Sequence, residues 1–250
     1  MTTDLTGKIA LVTGSARGIG HVTATTLAAR GAHVLAHQRV AGDSPLVAAI
    51  VASGGKATVV TGDLETPAGV AALATSTIAA LDGARLDILV HNAGILAGGT
   101  YEQETVELFD KQFAVNVRAP LFLTRALLPH LADDGGRIIV LSSVVARTAF
   151  PGYLSYAMTK GAVNVFIRNL AAELGPRGIT VNGIAPGVIE TDMSSIFAGS
   201  DEGLAFVLSM QALKRIGQPD DIADVVAFYA SAASRWITGQ IVEVSGGSRL

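Results

Sequence analysis

Apolar runs of a few residues alternate with longer stretches whose apolar positions recur every three or four residues. Ile9–Thr13, His33–His37, Ala57–Thr61, Leu86–His91, Arg137–Leu141, Ile179–Ala185 and Ile241–Val244 read as strands. Between them Gly18–Arg30, Pro45–Ser53, Pro67–Leu81, Thr105–Leu131, Tyr153–Leu174 and Asp220–Ser231 read as helices. Glycines stop several of them, at Gly31, at Gly54-Gly55 and at Gly135-Gly136. Strands alternating with helices of ten or so residues predict βαβ units and a parallel sheet, an α/β fold. No linker or low-complexity segment interrupts the pattern, so residues 1–250 are expected to form a single domain. The pattern is weakest from Glu190 to Arg215, and long irregular connections of that kind often serve as lids.

Composition narrows the picture. Half of the 250 residues are apolar and 16% are charged, with a mean hydropathy of +0.47. Such a chain suits a sheet buried on both faces and an oligomer that hides apolar surface. The net charge of −3 comes without a basic cluster, so nucleic acid is not an expected partner. There is no cysteine, and the five histidines, His21, His33, His37, His91 and His130, lack metal-ligand spacing, so no metal is expected. Neither a signal-peptide pattern nor a membrane-length apolar run is present, and the expected location is the cytoplasm.

The first strand runs into Thr13-Gly14-Ser15-Ala16-Arg17-Gly18-Ile19-Gly20, and a helix follows. Glycines there let the backbone approach a pyrophosphate, which the free N–H groups and dipole of the helix N-terminus then attract. With 28 glycines in the chain, a tight turn without a ligand would look the same; the strand–turn–helix context favours a dinucleotide. Eighteen residues after Gly20 lies the position that reads the adenosine ribose. His37-Gln38-Arg39 stands there, without the acid that holds a free 2′-hydroxyl. Arg39, with Arg17 nearby, can instead grip a 2′-phosphate as a planar fork, which favours NADP(H) over NAD(H). Asp63, with Leu64 beside it, follows the third strand where an adenine edge would lie; Asp63 also suits a helix cap.

Tyr156 and Lys160 are four apart in a helical pattern and so share a face. A phenol near pKa 10 exchanges protons poorly at neutral pH, and a nearby ammonium lowers that value, making a general acid/base. A chance Tyr-x-x-x-Lys is expected about 0.08 times in such a chain. Ser143 ends the fifth strand, where the ligand crevice of an open α/β sheet lies, and its hydroxyl can polarise a substrate oxygen. Ser142 is its neighbour, and either serine also suits a turn.

Together these motifs resemble the short-chain dehydrogenase/reductase family, in its single-domain branch. Thr13–Gly20 looks like its TGxxxGxG loop. His91-Asn92-Ala93-Gly94 is similar to its NNAG motif, with His91 in place of the first Asn. Ser143, Tyr156 and Lys160 match its catalytic triad, and Asn116 matches the catalytic Asn of its long helix. Asn182 through Gly187, including Pro186, and Thr191 look like its nicotinamide-side loop; Thr238-Gly239-Gln240 and Ser245-Gly246-Gly247 resemble its C-terminal signature. The resemblance implies a Rossmann-type, doubly wound, seven-stranded parallel sheet with helices on both faces. It also implies hydride transfer between NADP(H) and a ketone or secondary alcohol. Tyr156 would exchange the proton, Ser143 hold the oxygen, Lys160 bond the ribose, and Asn116 hold a relay water. A homotetramer or homodimer through the long helices is implied as well.

Substrate choice in the family lies mainly after the sixth strand, here Thr191 to Lys214, which holds Met193, Ile196, Phe197, Phe206, Leu208 and Met210. They make an apolar lid, or simply pack the segment onto the body. The nearest overall look is to 3-oxoacyl-carrier-protein reductases, whose basic docking residues Arg177 fits. Asp133-Asp134 opposes an acidic partner, so a small free ketone or alcohol is the preferred substrate. A cofactor-sensing scaffold would not need Tyr156 and Lys160. Epimerases and dehydratases of this fold belong to a longer branch.

Overall fold

The computed structural model describes residues 4–194 and 200–249. Seven strands, β1 Ile9–Val12, β2 His33–Gln38, β3 Lys56–Thr61, β4 Ile88–His91, β5 Arg137–Leu141, β6 Thr180–Pro186 and β7 Ile241–Val244, form one sheet in the order β3-β2-β1-β4-β5-β6-β7. Every neighbouring pair is parallel. The eight α-helices among the described residues are α1 Gly18–Ala29, α2 Pro45–Ala52, α3 Pro67–Leu81, α4 Val106–Phe113, α5 Ala119–Leu127, α6 Leu154–Leu174, α7 Asp201–Ser209 and α8 Pro219–Ala230.

Alternation along each strand splits the core in two. Leu11 of β1 and Ile138 and Val140 of β5 face a layer built with α3, α5 and α6. Ala10 and Val12, and Ile139 and Leu141, face the layer of α1, α2 and α8. The central strands are therefore apolar throughout, because both of their faces are covered. Strand order reverses between β1 and β4, which opens a crevice at their carboxyl ends.

Two expectations need correction. The stretch 105–131 is not one helix. α4 ends at Phe113, and residues 114–118 make a π-helical turn in which the Ala119 N–H bonds the Ala114 carbonyl five residues back. α5 and a short 3₁₀ turn, Leu128–His130, follow. Pro120 has no N–H for the Asn116 carbonyl four residues before it, so a regular α-helix would leave that carbonyl unpaired. The weakly patterned region 190–215 also contains a real helix, α7. Ser200 caps it through the Gly203 N–H, and Asp201 and Glu202 sit in its first turn. It shows no apolar stripe because it buries only Val207.

Candidate active site

The crevice is built first from the loop after β1. Thr13 Oγ1 donates to the Val90 carbonyl and accepts the Asn92 and Ala93 N–H groups, each at 3.0 Å. The Asn92 amide donates to the Thr13 and Gly14 carbonyls. Gly14 and Gly18 adopt left-handed φ values of 65° and 56°, which cost a Cβ-bearing residue strain. A Cβ on Gly20 would run into the Gly14 carbonyl and the Asn92 amide, and one on Gly18 would crowd Thr191 at 3.3 Å. The glycines thus bring β1, β4 and the start of α1 into contact. α2, α3, α4 and α7 are capped by Ser44, Thr66, Thr105 and Ser200. The N-terminus of α1 has no side-chain cap and no acid in its first turn. Its free N–H groups at Gly18, Ile19 and Gly20 fit the pyrophosphate of a dinucleotide.

The ribose-reading residues separate by role. His37 is buried: its Nδ1 accepts the Gly14 N–H at 3.0 Å, so its Nε2 carries the proton and donates to the Gly62 carbonyl at 2.8 Å. Burial lowers its pKa and keeps it neutral. Gln38 turns onto the Val40 and Gly42 carbonyls. Arg39 is exposed and makes no hydrogen bond or ion pair among the described residues, leaving its guanidinium open to a ligand. Arg17 pairs with Asp192 at 3.2 Å, with both side chains solvated. Asp63 accepts the Glu65 N–H, and Leu64 is buried beside it in the core.

The chemical centre lies where β5 meets α6. Ser143 opens a 3₁₀ turn after β5, where its hydroxyl accepts the Val145 N–H and lies near enough to the Tyr156 phenol to favour its ionised form. Lys160 Nζ lies 5.5 Å from the Tyr156 ring centroid and donates to the Leu141 carbonyl at 2.7 Å. Burial pushes Tyr156 up to about 12, partly opposed by Ser143, and pushes Lys160 down to about 8. The expected depression of Tyr156 by the ammonium is therefore not what this arrangement gives. Desolvation of the phenolate outweighs it while Lys160 bonds a β5 carbonyl. Asn116 is buried in the π-helical turn. Its Oδ1 accepts the Ile95 N–H, and its Nδ2 donates to the Ile95 carbonyl and to Thr159 Oγ1. A Cβ on Gly94 would stand 3.4 Å from that Oδ1 and 3.7 Å from Lys160 Nζ. Asn116, Ser143, Tyr156 and Lys160 are thus gathered around one end of β4 and β5.

One turn before Asn116, Gln112 repeats its pattern. Its Oε1 accepts the Ala97 N–H at 3.1 Å and its Nε2 donates to Ser155 Oγ at 2.7 Å. Ser155 Oγ in turn donates to Glu104, whose oxygens lie 2.8 and 2.9 Å away. Sequence reasoning missed Glu104, Gln112, Ser155 and Thr159. The signal was two polar pairs four apart, 112/116 and 155/159, on otherwise apolar helix faces.

Other expected positions carry structural duties. Asn182 bonds the Ile237 carbonyl and the Gln240 N–H, bracing the approach to β7. Pro186 ends β6, and Gly187 packs on Ser245, where a Cβ would lie 2.9 Å from its Cα. Thr191 hydrogen-bonds Ser194. His91 is fully buried with Nε2 2.7 Å from Thr124 Oγ1, and burial holds its pKa near 3. Arg177 does not flank the site. It lies just before β6, at the opposite end of the sheet, on Asp133 at 2.6 Å and the Leu128 carbonyl. Neither it nor Asp133-Asp134 bears on docking beside the crevice. Met193 and Phe206 are 40% and 56% exposed, so packing onto the body does not use them up. Ile196 and Phe197 lie outside the described residues.

A family model described as "Enoyl-(Acyl carrier protein) reductase" matches residues 14–249. An uncharacterized oxidoreductase of Methylorubrum extorquens is 41% identical, covering 98% of this chain and 99% of its own length. Versicolorin reductase 1 of Aspergillus parasiticus is 38% identical over 98% and 97%. The crystal structure of the angucycline C-6 ketoreductase LanV with bound NADP superposes with a TM-score of 0.92 at 39% identity, covering 100% of this chain and 98% of LanV; LanV has also been solved with NADP and rabelomycin. A parallel seven-stranded sheet, a glycine-lined crevice and these full-length matches converge: the chain belongs to the short-chain dehydrogenase/reductase family of oxidoreductases, which act on carbonyl or alcohol groups with NAD(P).

Proposed function

We propose that this chain is an NADP(H)-dependent ketoreductase whose substrate is a ketone on an apolar, ring-bearing skeleton. The observation that carries the reading is the buried Tyr156 phenol, with Ser143 beside it at the carboxyl end of β5 and Lys160 Nζ 5.5 Å from its ring. A phenol held near 12 is fully protonated at neutral pH, which suits an acid that donates to a ketone oxygen as it becomes an alkoxide. Ser143 orients that oxygen and shares its developing charge. Lys160, cationic below about 8, stabilises the phenolate left behind. Asn116 fixes Ile95 and Thr159 around the pair.

Gly14, Ser15, Arg17, Gly18, Ile19 and Gly20, with Asn92, Ala93, Gly94, Pro186, Gly187 and Thr191, line the crevice where the cofactor would lie. When bound, NADPH supplies the hydride. Arg39 and the absence of an acid at the end of β2 support the 2′-phosphate form, as does the NADP bound to LanV. The substrate class rests on the names of relatives that act on versicolorin or tetrahydroxynaphthalene, and on exposed Met193 and Phe206 in the segment after β6, proposed as the substrate cover. A cover carrying such large apolar side chains favours this skeleton over the small free ketone that the sequence alone suggests.

The test is Tyr156→Phe. Turnover of 1-tetralone with NADPH should fall by roughly a hundredfold or more while NADPH titrated by protein fluorescence binds as before. Wild-type turnover in that variant rejects the acid/base assignment. Tighter binding of NADH than NADPH rejects the Arg39 argument alone.

A further inference from the structure

α6 carries both Tyr156 and Lys160, yet Tyr153, the residue before its first turn, makes no side-chain capping bond. A helix start that is partly buried needs partners for its N–H groups. Here the partner comes from 51 residues away: Glu104 Oε1 accepts the Ser155 N–H at 3.3 Å as well as the Ser155 hydroxyl. The carboxylate also complements the positive end of the helix dipole. Ser155, buried and adjacent to Tyr156, accepts from Gln112, and Gln112 holds the Ala97 N–H. Gln112 is buried and both ends of its amide are engaged.

The geometry is a two-rung ladder between the α4/π segment and α6. Gln112–Ser155 is one rung and Asn116–Thr159 the other, four residues apart on both sides. Each rung also grips the loop after β4, at Ala97 and Ile95. That loop is tied to the start of α6 a third time, by the Gly99 N–H on the Gly152 carbonyl at 2.9 Å. Gly98 lies so close to the Tyr153 ring that a Cβ would come within 2.6 Å of it.

We propose that Glu104, Gln112 and Ser155 are positioning residues that fix the first turn of α6, and with it the Tyr156 hydroxyl, against the loop 95–99 on the substrate side. They touch no reacting atom; they act through Tyr156. The inference rests on the acid/base assignment of Tyr156. The brace works through hydrogen bonds, so an amide at 104 should replace the carboxylate, since its oxygen still accepts from Ser155.

Four variants test it: Glu104→Ala, Glu104→Gln, Gln112→Leu and Tyr156→Phe, assayed with NADPH and 1-tetralone. In Glu104→Ala and Gln112→Leu, kcat should fall roughly tenfold, with NADPH affinity within about twofold of wild type, because misplacing a catalytic group costs rate rather than cofactor binding. Glu104→Gln should recover kcat to within about threefold. Amide hydrogen exchange in the first turn of α6 should quicken roughly tenfold in Glu104→Ala and stay near wild type in Glu104→Gln. The proposal is overturned if kcat and exchange in Glu104→Ala and Gln112→Leu match wild type, if the loss appears equally in NADPH binding, or if Glu104→Gln is as impaired as Glu104→Ala. Retained turnover in Tyr156→Phe is a separate failure, of the acid/base assignment, and the exchange measurement then still decides whether the brace holds α6.

Discussion

His91 shows how one buried side chain sets a pH limit. Its imidazole sits wholly inside the sheet layer against Thr124, with a pKa of about 3 against 6.5 in water. Above pH 6.5 the ring is neutral in both states and favours neither. As pH falls below 6.5 the unfolded chain takes up a proton that the folded one refuses, so stability drops until about pH 3. At pH 5 the loss from this group is of order 2 kcal/mol. His91→Asn, which removes the titrating ring, should therefore show a smaller fall in urea-unfolding free energy between pH 7 and pH 5 than wild type does. An equal fall in both proteins would mean that His91 is accessible to protons in the folded state. At this scale the sequence was informative where chemistry is local. Tyr156 and Lys160 are one helical turn apart, and the glycines of 14–20 sit in one loop. It was uninformative where partners are distant: nothing near Ser155 points to Glu104, and nothing near Arg177 says which end of the sheet it occupies.

Among the elements, the break at 114–118 matters most for the chemistry. A regular helix through this stretch would rotate Asn116 by the angle that one extra residue absorbs, and its amide would leave Ile95 and Thr159. Pro120 bars the regular form by lacking the N–H that Asn116 would accept. Pro120→Ala supplies that N–H and removes the obstacle. The expected outcome is a helix at least as stable to heat as the wild type, with kcat reduced severalfold. Unchanged kcat would show that the side-chain bonds of Asn116 alone hold the turn open. Apolar periodicity could not reveal this break, because Leu123 and Leu127 resume the buried stripe after it. α7 was hidden for the opposite reason, having almost no buried face: it buries only Val207. By contrast the five central strands were legible because each is buried on both sides and reads as an apolar run, whereas the edge strands β3 and β7 are only partly buried.

On the whole molecule, two sets of exposed apolar side chains among the described residues bear on assembly. One joins α5 and α6, where Leu121, Phe122, Leu154, Met158 and Val165 are exposed. Leu154, Met158 and Val165 fall on a single stripe of α6, at spacings of four and seven. The other belongs to the β7 end of the sheet, where Val242 of this edge strand, Phe228 of α8 and the 97% exposed Trp236 before the strand are uncovered. Exposed patches of this kind mark contacts between proteins, and two self-complementary patches generate a tetramer with two kinds of two-fold interface. We therefore propose a homotetramer, assembled through the helical face and the β7 edge. Phe122→Glu places a charge in the middle of the helical face and leaves the other intact. Its sedimentation mass should fall to that of a dimer, twice the 25.6 kDa chain. A monomer would mean that the β7 edge joins no copies, reducing the assembly to a dimer through the helices. An unchanged tetramer would move the interface away from α5 altogether, leaving the α6 stripe and the β7 edge to account for it.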